Sequence, residues 1–227
     1  GYFKPQLDYF QNPNTFGVMG KIIGLESDKI QDAAKYPGYK FLKINSIKNY
    51  SLSNRQKKTF PSLFLSGANA LVDRKKLVEL NGFQELYNPY YFEDVDLGLR
   101  AWKLGYKCFY EPDAVCKHPL SATINKEPSE KVEIIVKRNK MLLHYIHLDK
   151  WERNIFVLIN YLKAFFKGLI LDSNDLKSFK AFQKLKALAE NARNEFEKLQ
   201  NEKNVKYTLK DVIHHIKKDI PEDIVLF

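Results

Sequence analysis

Apolar residues along this chain follow two rhythms, and the change between them falls near residue 120. Before it, apolar runs are short and broken by Gly, Pro and Asn, as in strands and tight turns. After it, they recur every three or four positions over long stretches, as on helices packed by one face.

In the first part, residues 5–10 read as the end of a helix, closed by Asn12-Pro13-Asn14. Residues 16–23 read as a buried strand whose Gly17 and Gly20 admit close approach of another backbone. Residues 24–61 loosen into irregular surface structure with one or two short strands and a turn at Tyr36-Pro37-Gly38-Tyr39. Residues 63–72 read as strand, a Ser66-Gly67-Ala68 break, then strand. Asp73 caps a short helix over 74–80, which Asn81-Gly82 ends in a left-handed turn. An aromatic loop over 86–91 precedes a helix over 94–104. Two short strands, 107–111 and 114–118, are split by Pro112-Asp113.

In the second part, residues 130–148, 153–171, 175–203 and 209–218 read as helices. In the third of these, Leu176, Phe179, Phe182, Leu185, Ala189, Ala192, Phe196 and Leu199 form one stripe. The expected organisation is an α/β region over 1–122 and a helical region over 123–227.

Composition narrows the function classes. A hydrophobic share of 44% excludes a disordered chain. Cys108 and Cys116 alone make no disulfide framework and read as reduced thiols. The net charge of +10 favours anionic partners without choosing among them. No recognition helix, RNP-like strand or zinc-finger spacing accompanies it, so no nucleic-acid partner is expected. Chemistry first appears at Tyr90-Tyr91-Phe92-Glu93-Asp94-Val95-Asp96, where three carboxylates crowd a helix start. Unpaired backbone N–H groups there would lower a carboxylate's pKa and keep it ready to accept a proton. The bland reading is ordinary capping, with Asp96 and Arg100 as an i,i+4 ion pair. Yet the aromatic rings beside it suit a sugar-binding cleft.

Ser66-Gly67-Ala68, Asn81-Gly82-Phe83, Phe92-Glu93-Asp94-Val95-Asp96-Leu97 with Arg100, Gly105-Tyr106, Pro112-Asp113-Ala114 and His118 follow in that order. The ordered set resembles the second, acceptor-side half of family 2 glycosyltransferases of the GT-A fold. The resemblance implies a partial GT-A, Rossmann-like mixed sheet over residues 1–122, ahead of the helical region. It implies Asp94 as general base, with Glu93 beside it on the acceptor, and an inverting single displacement. It also implies sugar contacts from Ser66, Gly67, Ala68, Tyr91, Asp96 and Arg100. His118 would be a ligand to a divalent metal, Mn2+ or Mg2+. The donor would be a nucleotide sugar, UDP- or dTDP-linked, and the acceptor a saccharide or a lipid-linked sugar.

Two family features are missing: a separate Asp-x-Asp motif to complete the metal site, since the one nearby pairing, Asp94 and Asp96, already belongs to the helix start, and the strand-helix-strand unit that holds the nucleotide. Gly1, in place of Met, points to a truncated or processed end. On this reading the chain alone is inactive, and the rival is a non-catalytic acceptor- or membrane-docking module derived from such an enzyme. Residues 153–171, with Trp151 before them, fit either a packed helix or an interfacial one on an anionic membrane surface. A cytoplasmic place, at the inner face of the cell membrane, is expected. His144 and His147, and likewise His214 and His215, read as helix-surface residues.

Overall fold

The structure, a computed structural model, describes residues 1–52, 59–118, 128–170 and 173–227. Its central strand is β1 (Thr15–Gly24), in which Phe16, Val18, Met19 and Ile22 are buried. The close approach expected at its glycines is found. A Cβ at Gly20 would stand 2.2 Å from the Ala114 carbonyl oxygen, and one at Gly17 2.7 Å from that of Leu71.

Two strands flank one edge of β1, both antiparallel: β2 (Ile30–Asp32) at Ile22 and Ile23, and, further on in sequence, β6 (Ala70–Val72) at Gly17 to Met19. β5 (Phe60–Pro61) pairs with the long strand on the other edge, β7 (Lys107–His118), which runs parallel to β1. The expected two strands are therefore one. Pro112, Asp113 and Ala114 are taken up in an irregularity between Glu111, opposite Gly20, and Val115, opposite Lys21.

Residues 24–61 hold more order than the sequence pattern implies. β3 (Ala34–Lys40) and β4 (Lys43–Leu52) form an antiparallel hairpin. Pro37-Gly38 is no turn: the register shifts between Tyr36 and Gly38, and Pro37 is tolerated because β3 is an edge strand. The chain reverses instead at Phe41-Leu42, both with left-handed φ (48° and 60°). A strand from the far end of the chain, β8 (Ile224–Leu226), completes this second sheet. Leu63, Phe64 and Leu65 are buried but leave the sheet after β5.

The helices are α1 (Lys4–Leu7), α2 (Arg74–Glu79), α3 (Glu93–Lys103), α4 (Ser129–His147), α5 (Lys150–Ile170), α6 (Asn174–Glu202) and α7 (Leu209–Asp219). Local chemistry sets their ends. Asp73 accepts from the N–H groups of Lys75 and Lys76, Ser173 from that of Leu176, and Thr208 and Asp211 form a capping box. The α6 stripe buries Phe179, Phe182, Ala189 and Phe196.

The division at residues 122 and 123 lies outside the described residues. On either side of it the two regions share one core, which runs from Met19 and Leu99 to Leu142 and Val212. His144 and His147 are core residues of α4, each 1% exposed, not surface ones. The His144 ring stacks on Phe156, and its Nε2 accepts the Ile44 N–H at 2.9 Å.

Candidate functional site

α3 begins abruptly. Tyr91 and Phe92 both carry left-handed φ (72° and 77°), strained values for bulky residues, and no side chain caps the helix. The strain is held from outside by Asn139 of α4, which is fully buried. Its Nδ2 donates to the carbonyls of Tyr87, Tyr90 and Tyr91 at 2.7, 2.9 and 3.0 Å. Its Oδ1 accepts from the Arg138 guanidinium, which fixes the amide's orientation.

The loop so held forms one wall of a cleft of about 380 Å³. Gly67, Glu93 and Asp94 line it together with Phe83, Tyr87 and Tyr90. Open space surrounds Gly67, with nothing within 4 Å of where a Cβ would sit. Two buried polar atoms, Oε2 of Glu93 and the hydroxyl oxygen of Tyr90, have no hydrogen-bond partner among the described residues. Buried polar atoms are ordinarily paired, so these two are free for a ligand.

Asp94 is partly exposed at the cleft, and its pKa is raised to about 6. Burial is the main cause and the Glu93 charge the next, with Asp32 adding to them; the Val95 N–H and Lys35 act in the opposite sense. The lowering expected from the helix start is outweighed because the carboxylate is desolvated beside a like charge. Asp32 and Lys35, an ion pair at the β2–β3 edge, had no signal in the sequence pattern, since they fall in the stretch that reads as irregular.

Asp96 and Arg100 do not face the cleft, which corrects their assignment to sugar binding. They are 0% and 1% exposed and form an ion pair at 2.7 Å. Arg100 also donates to the carbonyls of Leu80 and Gly82, tying the Asn81-Gly82 turn to α3. Asp96 takes further bonds from the Tyr87 hydroxyl (3.1 Å) and from His147 Nε2 (2.9 Å). Burial pushes its carboxyl up, but Arg100 and His147 outweigh that and hold it below the usual range. Trp102 is core, as its helical position implies, and its indole N–H donates to the Ser62 carbonyl.

The structure thus gathers Gly67, Glu93 and Asp94 at one cleft. Ser66, Ala68 and Tyr91 lie next to lining residues in sequence but are not among the lining, where Tyr90 takes the place expected of Tyr91. His118 ends β7 opposite Gly24 and is not among that lining. Asn139 was beyond sequence reasoning, since a lone Asn inside a helical pattern carries no signal of what it will hold.

No family model matches the chain. Two curated relatives, each named N-acetylglucosaminyl-diphospho-decaprenol L-rhamnosyltransferase, come from Mycobacterium tuberculosis strains CDC 1551 / Oshkosh and ATCC 25618 / H37Rv. Each is 31% identical over 106 residues, 45% of this chain and 34% of theirs. The chain therefore spans about a third of the relatives it matches. Among solved structures, GalNAc-T7 with UDP, GalNAc and Mn2+ matches with a TM-score of 0.56. That likeness has 11% identity and covers 96% of this chain and 38% of that one. The chain resembles the family 2 glycosyltransferases and has a GT-A-like fold. In this glycosyltransferase-like chain, no three His, Cys, Asp or Glu side chains among the described residues stand close enough to hold a metal ion. Among the described residues, therefore, His118 has no companion donors with which to hold a divalent cation.

Proposed function

We propose that this chain is the acceptor-side part of an inverting glycosyltransferase, with Asp94 as the general base. Asp94 takes the proton of an acceptor hydroxyl while that oxygen bonds to the anomeric carbon of the donor sugar. The bond from that carbon to the nucleotide diphosphate breaks, and its electron pair leaves with the diphosphate. Glu93 and Tyr90 accept and donate to neighbouring sugar hydroxyls, and Gly67 leaves room for the ring. The observation that carries this reading is Asp94 with its pKa near 6 at an open cleft, beside two unpartnered polar atoms. A base is most effective when its pKa lies close to the working pH.

The donor is a UDP- or dTDP-linked sugar and the acceptor a saccharide or a lipid-linked sugar, met at the cytoplasmic face of a membrane. Residues 1–122 carry the site, and 123–227 brace it through Asn139. A divalent cation, Mn2+ or Mg2+, would neutralise the departing diphosphate. His118 could contribute to holding it only alongside donors beyond the described residues.

The test is Asp94→Asn in the native polypeptide, with transfer and donor binding both measured. Turnover should fall by on the order of 10²–10⁴-fold while donor affinity is kept. Undiminished turnover would remove Asp94 from the chemistry.

A further inference from the structure

α5 packs through one face only. Phe156 and Ala164 are buried, and the helix packs mainly against α6 and α4. The opposite face is apolar and open: Trp151, Ile155, Leu158, Leu162, Phe165 and Phe166 recur at helical spacing, with Trp151 58% and Phe166 60% exposed. A continuous exposed apolar face of this kind marks an interaction surface. No helix among the described residues is long and apolar enough to cross a membrane.

Charge identifies the occupant. Beside the open face lies a pocket of about 220 Å³, where Lys43, Lys140, Lys163 and Lys167 converge. Lys137 and one carboxylate, Asp175, also line it, and Asp175 is paired with both Lys137 and Lys167. Among the described residues no carboxylate pairs with Lys43, Lys140 or Lys163, and Lys163 and Lys140 help to lower the pKa of Lys43 after burial. Three unneutralised ammonium groups converging on one hollow suit phosphate. The one carboxylate of α5, Glu152, is buried and held by Lys210. A second copy seated on the same face would set one basic rim against another.

We propose that α5 lies in the surface of an anionic bilayer. Its outward face enters the interfacial layer, and the Lys43–Lys140–Lys163 pocket takes a lipid headgroup phosphate. An amphipathic helix with aromatic and aliphatic residues on one face and lysines at its rim binds in this way. The proposal deepens the cytoplasmic-face reading above and rests on it only for the site of action. Its test involves no sugar transfer, so its failure leaves the Asp94 assignment standing.

Trp151 is a built-in probe, because the other tryptophan, Trp102, is buried. The chain is titrated with vesicles of phosphatidylcholine alone and with vesicles of equal parts phosphatidylcholine and phosphatidylglycerol. The expected result is a blue shift of Trp151 emission, quenching by brominated lipid, and co-flotation, all with the anionic vesicles and weakened by salt. Lys140→Gln and Lys163→Gln should each weaken binding about fivefold. Leu162→Asp with Phe166→Asp should abolish the blue shift with the helical circular dichroism unchanged. Equal binding to neutral vesicles, or no blue shift with either, overturns the proposal. So does a lipid-free dimer, seen by sedimentation, that Leu162→Asp with Phe166→Asp dissolves. Inorganic phosphate that blocks vesicle binding only at the ionic strength where chloride does so supports a lipid source; specific competition at low salt overturns it.

Discussion

Nε2 of His147 stands 2.9 Å from Oδ1 of Asp96, so the last residue of α4 is bonded to the first turn of α3, two residues from Asp94. The helical region thereby fixes the helix that carries the proposed base. Asp96 is ionised beside Arg100, so His147 donates from Nε2 and is neutral. Its Nδ1 is buried and has no partner among the described residues.

Acid should therefore release this joint. Burial lowers the pKa of both His147 and His144 to about 4, below their ordinary 6.5. Each is neutral when folded but binds a proton when unfolded between those values. Stability is thus fully present above pH 6.5 and is lost as pH falls towards 4. Protonating His144 would also deprive the Ile44 N–H of its acceptor. The two together should cost on the order of 2–4 kcal/mol between pH 7 and pH 5, measured by urea unfolding. His147→Gln should flatten that slope by about half.

Asp94 runs the other way. Its folded pKa is raised to about 6, so the folded state keeps a proton that the unfolded state gives up. The penalty develops as pH rises from the ordinary carboxylate range through 6 and persists above. Asp94→Asn should stabilise the fold by ~1–2 kcal/mol at pH 7.5 and by nothing near pH 3. In the unmodified protein, kcat/KM should rise through pH 6 on its acidic limb. An acidic limb centred near 4 would count against Asp94 as the base.

Sequence pattern exposed the helices well because each has a long, one-faced apolar stripe. The α6 stripe is an example, and its ends are marked by Ser173 and Lys203. It exposed the acidic helix start because Glu93, Asp94 and the aromatic residues are neighbours in the chain. It misplaced what depends on distant partners. Asp96 and Arg100 were indistinguishable from site residues until Tyr87, His147 and the Leu80 carbonyl closed around them. The β3–β4 hairpin was hidden because Pro37-Gly38 imitates a turn while the true reversal uses Phe41 and Leu42, which have no turn preference.

Asn139 should act on the cleft without touching a substrate. Asn139→Ala frees three carbonyls at the strained entrance to α3, at a cost of ~1–3 kcal/mol. Hydrogen exchange should quicken at residues 87–92 more than in β1 and β7. KM for the acceptor should rise more than kcat falls. Uniform acceleration across the whole sheet would mean a role in global stability alone.

Gly67 separates a role in the cleft from a role in folding. Its φ is not positive and its Cβ position opens into empty space, so Gly67→Leu strains nothing and should change stability by less than about 0.5 kcal/mol. The new side chain would enter the cleft that Asp94 also lines, and kcat/KM for the acceptor should drop on the order of 10–100-fold. Gly98 provides the contrast: a Cβ there would meet Cα of Phe64 at 2.7 Å and the Leu63 carbonyl oxygen at 2.8 Å. Gly98→Ala should therefore destabilise by ~1–3 kcal/mol, because α3 must retreat from backbone rather than from a flexible side chain. If Gly67→Leu loses stability as Gly98→Ala does, or transfers sugar as well as the parent, the cleft is not where the acceptor lies.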